Sequence, residues 1–346
     1  MKMKKNTLQN LITYAMVIIA FIVCQSLVNA KAMSRSLQGQ LVPICVWIVM
    51  AVSLNLVVGI SGELSLGHAG FMSIGAFAGC VMSTWLLGAF AMDNTLFRLL
   101  LSMAVGGILA GVAGVLIGIP VLRLRGDYLA IVTLAFGEII RNIMNCLYIS
   151  LDGTRLYISF LDSKIPGKMI VKGPGGAASI AKIGTFGMGF ALIIFTLIVV
   201  LNLINSRSGR AIMASRDNRI AAEAMGVNVT KYKMMAFVTS AFLAGMAGAL
   251  YGLTLGTVTA AKFRFDTSIL VLVFVVLGGI GSIRGSIIAA TLLTILPEVL
   301  RAFSDYRMLA YAIVLILVML ATNNPMLRSI VTGLTGKLRG KGRASA

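Results

Sequence analysis

Ten stretches of roughly twenty mostly apolar residues, separated by short polar intervals, constrain this chain more than any other feature. A run of that length is what an α-helix needs to cross a hydrocarbon core about 30 Å thick. The candidate spans are 11–30, 41–61, 65–90, 97–120, 128–149, 186–205, 234–257, 267–283, 286–301 and 308–323. Hydrophobic residues make up 58% of the chain and charged residues 12%. Soluble domains carry roughly 45–50% and about 25%, so lipid must cover much of the surface. The expected fold is all-α and integral to the membrane: a polytopic bundle of about ten transmembrane helices in one membrane domain, 1–346. The spans at 267–283 and 286–301 are short and abut at Ser282, Ile283, Arg284 and Gly285. They read equally as one broken helix or two half-helices, which leaves nine or eight spans as alternatives.

The net charge is +19. The basic residues sit between the apolar runs, which points to topology and lipid headgroups and away from nucleic acid. With ten spans and the N-terminus inside, the short loops put seventeen Lys and Arg on one side and seven on the other. That asymmetry favours both termini in the cytoplasm. The loop at 151–185 is then external, the segment at 206–233 internal, and the tail at 324–346 a basic cytoplasmic extension. The run at 11–30 exceeds a signal-peptide core and reads as a retained first span. The cysteines Cys24, Cys45, Cys80 and Cys146 have no metal-ligand spacing and read as packing residues.

Four segments carry polar or glycine-rich chemistry at membrane depth. Between Ser53 and Phe71, the residues Asn55, Ser61, Gly62, Glu63, Ser65, Gly67 and His68 interrupt an apolar region. Broken backbone there survives only where protein buries it or a wet cavity is lined by it. One reading is a pathway or gate. The other is a tight cytoplasmic turn, with Ser61 capping the next helix and Glu63 at its positive end. His68 reads more readily as a hydrogen-bonded packing residue than as a proton carrier. In the second segment Thr133 is mildly polar. Glu138 and Arg141 stand three apart on one helix, either as a self-satisfying pair or in a translocation path. Arg123 and Arg125 precede them as a cytoplasmic anchor.

The third segment, Ser206 to Lys233, is a short amphipathic helical stretch on the basic side. Ser215 or Asp217 is the expected cap and Gly226 the stop. Ala221, Ala222 and Ala224 leave a smooth surface suited to a partner's groove. In the fourth, Gly278, Gly279, Gly281 and Gly285 mark a broken helix of the kind that lines binding sites in transporters. Glu298 is a further carboxylate near a helix end. No Gly-x-x-x-x-Gly-Lys-Ser/Thr loop and no His-Glu-x-x-His set occurs in the sequence. The chain is therefore expected to carry no catalytic or metal-ligating residue and to bind no cofactor of its own.

At these segments the sequence resembles the permease family of branched-chain amino acid importers of the ATP-binding cassette class, in its LivM-type branch. The resemblance runs from about Ser53 to Leu300 and is most specific over 206–252. It implies a second, related permease, two cytoplasmic ATPase subunits that hold ATP and magnesium, and an external or periplasmic binding protein. It also implies residence in the bacterial inner membrane. Arg210, Arg216, Asp217, Asn218, Ala221, Ala222, Glu223, Ala224 and Gly226 would belong to a cytoplasmic coupling helix seated in an ATPase groove. Asn55, Ser61, Gly62, Ser65, Gly67, His68, Thr133, Glu138, Gly278, Gly279 and Gly281 would form the path or gate. Leucine, isoleucine and valine are the expected solutes; related permeases serve urea, short amides and other amino acids. An ion-coupled secondary transporter relaying through Glu63, His68, Glu138 or Glu298 is the rival reading. An intramembrane enzyme using His68 and Glu63 lacks a further catalytic partner.

Overall fold

The computed structural model describes residues 2–30, 33–90, 94–124, 126–160, 166–178 and 180–300, with positions 309, 312, 313 and 316. Apart from those four positions, the expected tenth span at 308–323 and the tail at 324–346 lie outside the described residues, as does Arg125. In chain order the helices are α1 (Lys2–Asn29), α2 (Arg35–Asn55), α3 (His68–Phe90), α4 (Thr95–Val121), α5 (Asp127–Asn145), α6 (Phe186–Asn205), α7 (Arg207–Asp217), α8 (Arg219–Ala224), α9 (Val229–Leu255), α10 (Phe265–Gly278) and α11 (Ile283–Val299). All but α7 and α8 coincide with expected spans. Among the described residues six are long and apolar enough to cross a membrane: α1, α2 with its continuation to Ser61, α3, α4, α6 and α9. By contrast α10 and α11 have only 14 and 17 residues, which is the paired short-helix alternative of the sequence.

Local chemistry sets several helix starts. Ser34 and Asn94 cap α2 and α4 by accepting from Leu37 N and Phe97 N. The described residues group into two compact units, Met1–Thr291 and Leu292–Ala346. At the heart of the first, α3, α4 and α9 pack backbone to backbone. A Cβ on Gly75 would overlap the Gly245 main chain, and one on Gly245 would meet the Gly106 carbonyl oxygen at 2.6 Å. Small residues permit this approach, which in lipid supplies the dispersion energy that hydrophobic burial cannot. Phe77 and Met72 of α3 and Leu243 and Leu250 of α9 are each at 2% exposure or less.

The unit Met1–Thr291 has two distinct ends. At one, Gly118 of α4 packs on Met234 and Phe237 near the start of α9, and the 206–233 segment and the α10–α11 turn lie against the end of α2. At the other end the sequence reading needs correcting. The expected span 128–149 stops at Asn145, and the chain leaves it as a strand. Strands β1 (Leu147–Asp152), β2 (Arg155–Phe160) and β3 (Lys168–Lys172) form an antiparallel sheet in the order β2-β1-β3. Asp152 pairs with Arg155, and Gly153, at φ 58°, makes the hairpin turn between them. The alternating Leu147, Tyr148, Ile149, Ser150 and Leu151 favours a half-buried strand; its apolar members had blended into the preceding run. Trp85 Nε1 donates to Thr154 O at 3.0 Å, and Ala177 bridges to Val258, so the sheet and the chain after it are fastened to the ends of α3 and α9. The membrane bundle is helical as expected, with this small sheet added at one end.

Candidate functional site

At its last turn α2 widens. Residues Leu56–Ser61 form a π turn, and Gly62, at φ 75°, ends it in a left-handed conformation. Single π turns within α-helices concentrate at functional positions. The chain then runs back into the bundle. His68, the first residue of α3, is 2% exposed and has its Nε2 2.8 Å from Ser53 Oγ. Ser53 lies eight residues before Ser61, about 12 Å deeper along the helix axis. The Ser53 hydroxyl also reaches Met50 O at 3.0 Å, within its own helix. The linker 62–67 is therefore re-entrant backbone, and side chains of other helices satisfy it: Leu66 N donates to Thr133 Oγ1 at 3.0 Å and Ala69 N to Ser268 Oγ at 3.1 Å. Ser65 and Gly67 are buried, as irregular main chain at membrane depth requires, while Gly62 and Leu64 at the start of the linker are exposed.

A second junction lies on the other side of the π turn. Asn55 is fully buried. Its Oδ1 accepts from Gly281 N at 2.8 Å and its Nδ2 donates to Ser286 Oγ at 2.9 Å. One side chain thus ties the break between α10 and α11 to the first turn of α11. The break needs its glycines. Gly279 and Gly281 have φ of 91° and 83°, and Gly278 and Gly285 face each other so closely that a Cβ on either would strike the other's main chain. Gly59 is confined likewise, between the Asn55 side chain and the Gly281 nitrogen.

Two capping assignments change. Ser61 does not cap α3; it ends the π turn, and its hydroxyl is buried without a partner among the described residues, as is that of Ser65. Glu63 does not sit at the positive end of α3 but pairs with Lys233 of α9, their side chains 13% and 11% exposed. A carboxylate leaving an apolar run needs a cation, and α9 supplies it. Glu138 stands apart from both junctions. Its Oε2 accepts from Arg141 Nε at 2.6 Å and its Oε1 from Phe265 N at 3.3 Å, so the pair holds the start of α10 against α5. Of the expected path residues, Asn55, Gly278, Gly279 and Gly281 meet at one junction; Gly67, His68 and Thr133 meet at the other. Between α3, α5 and α9 an apolar recess lined by Gly67, Phe71, Thr133, Phe136 and Ile140 is too narrow for a solute.

The amphipathic element is α7 and α8. Ser206 caps α7 by accepting from Gly209 N, and Asn218 caps α8 by accepting from Ala221 N, so the caps are neither Ser215 nor Asp217. Ser215 is buried and bonded to Ile212 O, while Asp217 pairs with Arg216. Gly226 stops the element at φ 77° as expected. Arg210 Nη1 donates to Asn205 O, at the end of α6. Ala222 is buried against the bundle, whereas Ala221, Glu223 and Ala224 are exposed. So are Ile220 and Met225, at 81% and 84%. Arg219 Nε holds Glu223 Oε1 at 2.8 Å, one turn along α8. Arg216 is exposed, and it also reaches the bundle: its Nη1 donates to Gly59 O at 2.9 Å and its stem lies across Gly62. Ser53, Gly59, Lys233, Ser268 and Ser286 were not singled out from the sequence, yet all contribute to these junctions, as does Ser240, whose Oγ donates to Ser53 O at 2.6 Å. Serine in a glycine-rich apolar run carries little signal by itself.

Taken together these features define a multi-pass helical membrane protein with irregular backbone buried beside its broken helices. The family model for the branched-chain amino acid transport system / permease component matches residues 36–322, and the chain belongs to that family. Over 311 residues it is 34% identical to the high-affinity branched-chain amino acid transport system permease protein LivM of Salmonella typhimurium, and equally to that of Escherichia coli. Each match covers 80% of this chain and 66% of the relative, just under two thirds of its length. It is 26% identical over 292 residues to the ribose import permease protein RbsC of Haemophilus influenzae, over 80% of this chain and 81% of that one. No solved structure matches the chain.

Proposed function

We propose that the chain is the permease subunit of an ATP-driven importer that carries leucine, isoleucine and valine across a bacterial inner membrane. Family membership over 36–322 supports the transport role and the substrate class. The observation that carries the motor docking is α8, which extends Ile220 and Met225 into solvent beside the flat Ala221 and Ala224 surface. Two large apolar side chains more than four-fifths exposed mark an interaction site at the polar end of a bundle. They suit a groove on a separate ATPase subunit that holds ATP and magnesium. A second, related permease completes the pathway, and a binding protein delivers solute to the end bearing the sheet. The concentration of basic loops at the α7–α8 end supports placing that end, and both termini, in the cytoplasm. Nucleotide-driven closure of the ATPases moves α7–α8, and the bundle alternates between outward and inward openings. No residue of this chain needs catalytic chemistry.

The test is reconstitution. Purified alone in liposomes, the chain is expected to move no solute against a gradient; with sister permease, ATPases, ATP and loaded binding protein it accumulates leucine. Met225→Glu is expected to abolish ATPase co-purification while membrane insertion persists. Concentrative uptake by the lone chain, or normal ATPase capture by Met225→Glu, overturns the docking reading.

A further inference from the structure

The α7–α8 element is expected to be moved from outside, but a docking surface explains only how force is received. The contacts on its inner side show where force goes. Ile212 and Ser215 of α7 are buried, at 0% and 2% exposure, which fixes that face to the bundle. Arg216, on the last turn of α7, has a side chain 39% exposed that links the element to the bundle. Its Nε and Nη2 hold Asp217 Oδ1 at 3.1 and 2.9 Å, and Nη1 is left to donate to Gly59 O at 2.9 Å. Gly59 belongs to the last turn of a helix, where carbonyls lack internal donors, so an outside donor takes up a free acceptor there. A planar guanidinium serves two acceptors in fixed directions, which a lysine ammonium does less well.

Gly59 is the meeting point of two contacts. Arg216 holds its carbonyl, and its α-carbon lies against Gly281 N and the Asn55 side chain, with no space for a Cβ. Gly281 is in turn bonded to Asn55, and Asn55 to Ser286 on α11. An unbroken series therefore runs from α7 through Arg216, the π turn and Asn55 to the break between α10 and α11. The same stretch is held from another side by Glu63 with Lys233 of α9. Displacement of α7 relative to α9 thus loads residues 59–63 from two directions. The residues that receive the load have the loosest helical geometry in α2, and beyond them lies a break already in left-handed backbone.

We propose that Arg216 is the positioning residue that delivers movement of the α7–α8 element, through the Gly59 carbonyl, to the break between α10 and α11. This rests on the reading of α7–α8 as the motor-docking element. The test uses the complete importer in proteoliposomes, with Cys24→Ser and Cys146→Ser as background and Ile280→Cys as reporter. Ile280 lies in the break and is 61% exposed. In the parent protein, maleimide labelling of Ile280→Cys is expected to change between nucleotide-free and ATP-bound states. Arg216→Gln is expected to keep the ATPases bound, to lower solute moved per ATP hydrolysed at least tenfold, and to make labelling insensitive to nucleotide. Arg216→Lys recovers part of the ratio. Solute per ATP within twofold of the parent, or labelling that still follows nucleotide, overturns the proposal. So does loss of ATPase co-purification in Arg216→Gln, which would make Arg216 a docking residue. Met225→Glu reports on docking separately, since it breaks capture whether or not Arg216 transmits. Should Arg216→Gln not reach the membrane, Asn55→Ser interrupts the same series from its far side and is held to the same outcomes.

Discussion

The α3–α4–α9 seam, at the heart of the unit Met1–Thr291, and the Asn55 junction, at one of its ends, are both rich in glycine, yet they are built on opposite principles. In the seam, glycines bring regular helices into main-chain contact, and the surroundings are apolar side chains with no room to move. At the junction, glycines permit irregular backbone, and a handful of directed hydrogen bonds holds it. Dispersion over a close-packed surface resists any shift, because each atom loses many neighbours at once. A few polar bonds can be exchanged for others at little net cost. The contrast separates a frame that must stay fixed from a joint that is able to rearrange.

The comparison breaks most readily in the seam. Gly75→Leu drives a side chain into the Gly245 main chain; overpacking of about 1–3 kcal/mol or more is expected, seen as loss of monodisperse protein in detergent. Uptake and yield near normal would show the frame to be soft. Next comes the Glu63–Lys233 pair. Glu63→Gln leaves a mostly buried ammonium without its partner, and about 3 kcal/mol is expected, read as a lower unfolding midpoint. Lys233→Met added to it should recover part of the loss. At the junction, Asn55→Leu strands Gly281 N–H, while the Ser286 hydroxyl keeps its bond to Ser282 O; roughly 1–3 kcal/mol is expected, with a larger fractional loss of uptake than of stability. Equal losses would deny that this joint differs from the frame. Smallest is Gly111→Ala, where the new methyl meets Phe242 at an ordinary 3.6 Å; stability should stay within about 0.5 kcal/mol of the parent.

Much of the frame was legible because lipid imposes a simple code. The spans at 41–61, 97–120 and 186–205 could be read from length and apolarity. The sheet was not, because Leu147, Ile149 and Leu151 are as apolar as the span they follow, and only their alternation distinguishes them. The π turn left no mark at all: Leu56, Val57, Val58 and Ile60 are ordinary helix-interior residues in lipid. Asn55 and the glycines at 278–281 could be picked out as unusual. That they meet depends on contacts across more than two hundred positions of sequence. Arg216 resembled its neighbours Arg210 and Arg219 on a basic amphipathic helix, and only the tertiary fold brings its Nη1 to Gly59 O.

The widened turn at the end of α2 also has a practical consequence for anyone mapping this helix. An α-helix advances roughly 100° per residue, whereas a π turn packs an extra residue into its ring. Positions beyond Asn55 therefore fall on a different meridian from the one obtained by counting regularly from Trp47. Probes placed by wheel projection at Val57 to Ser61 will report on the wrong side of the cylinder unless that offset is restored.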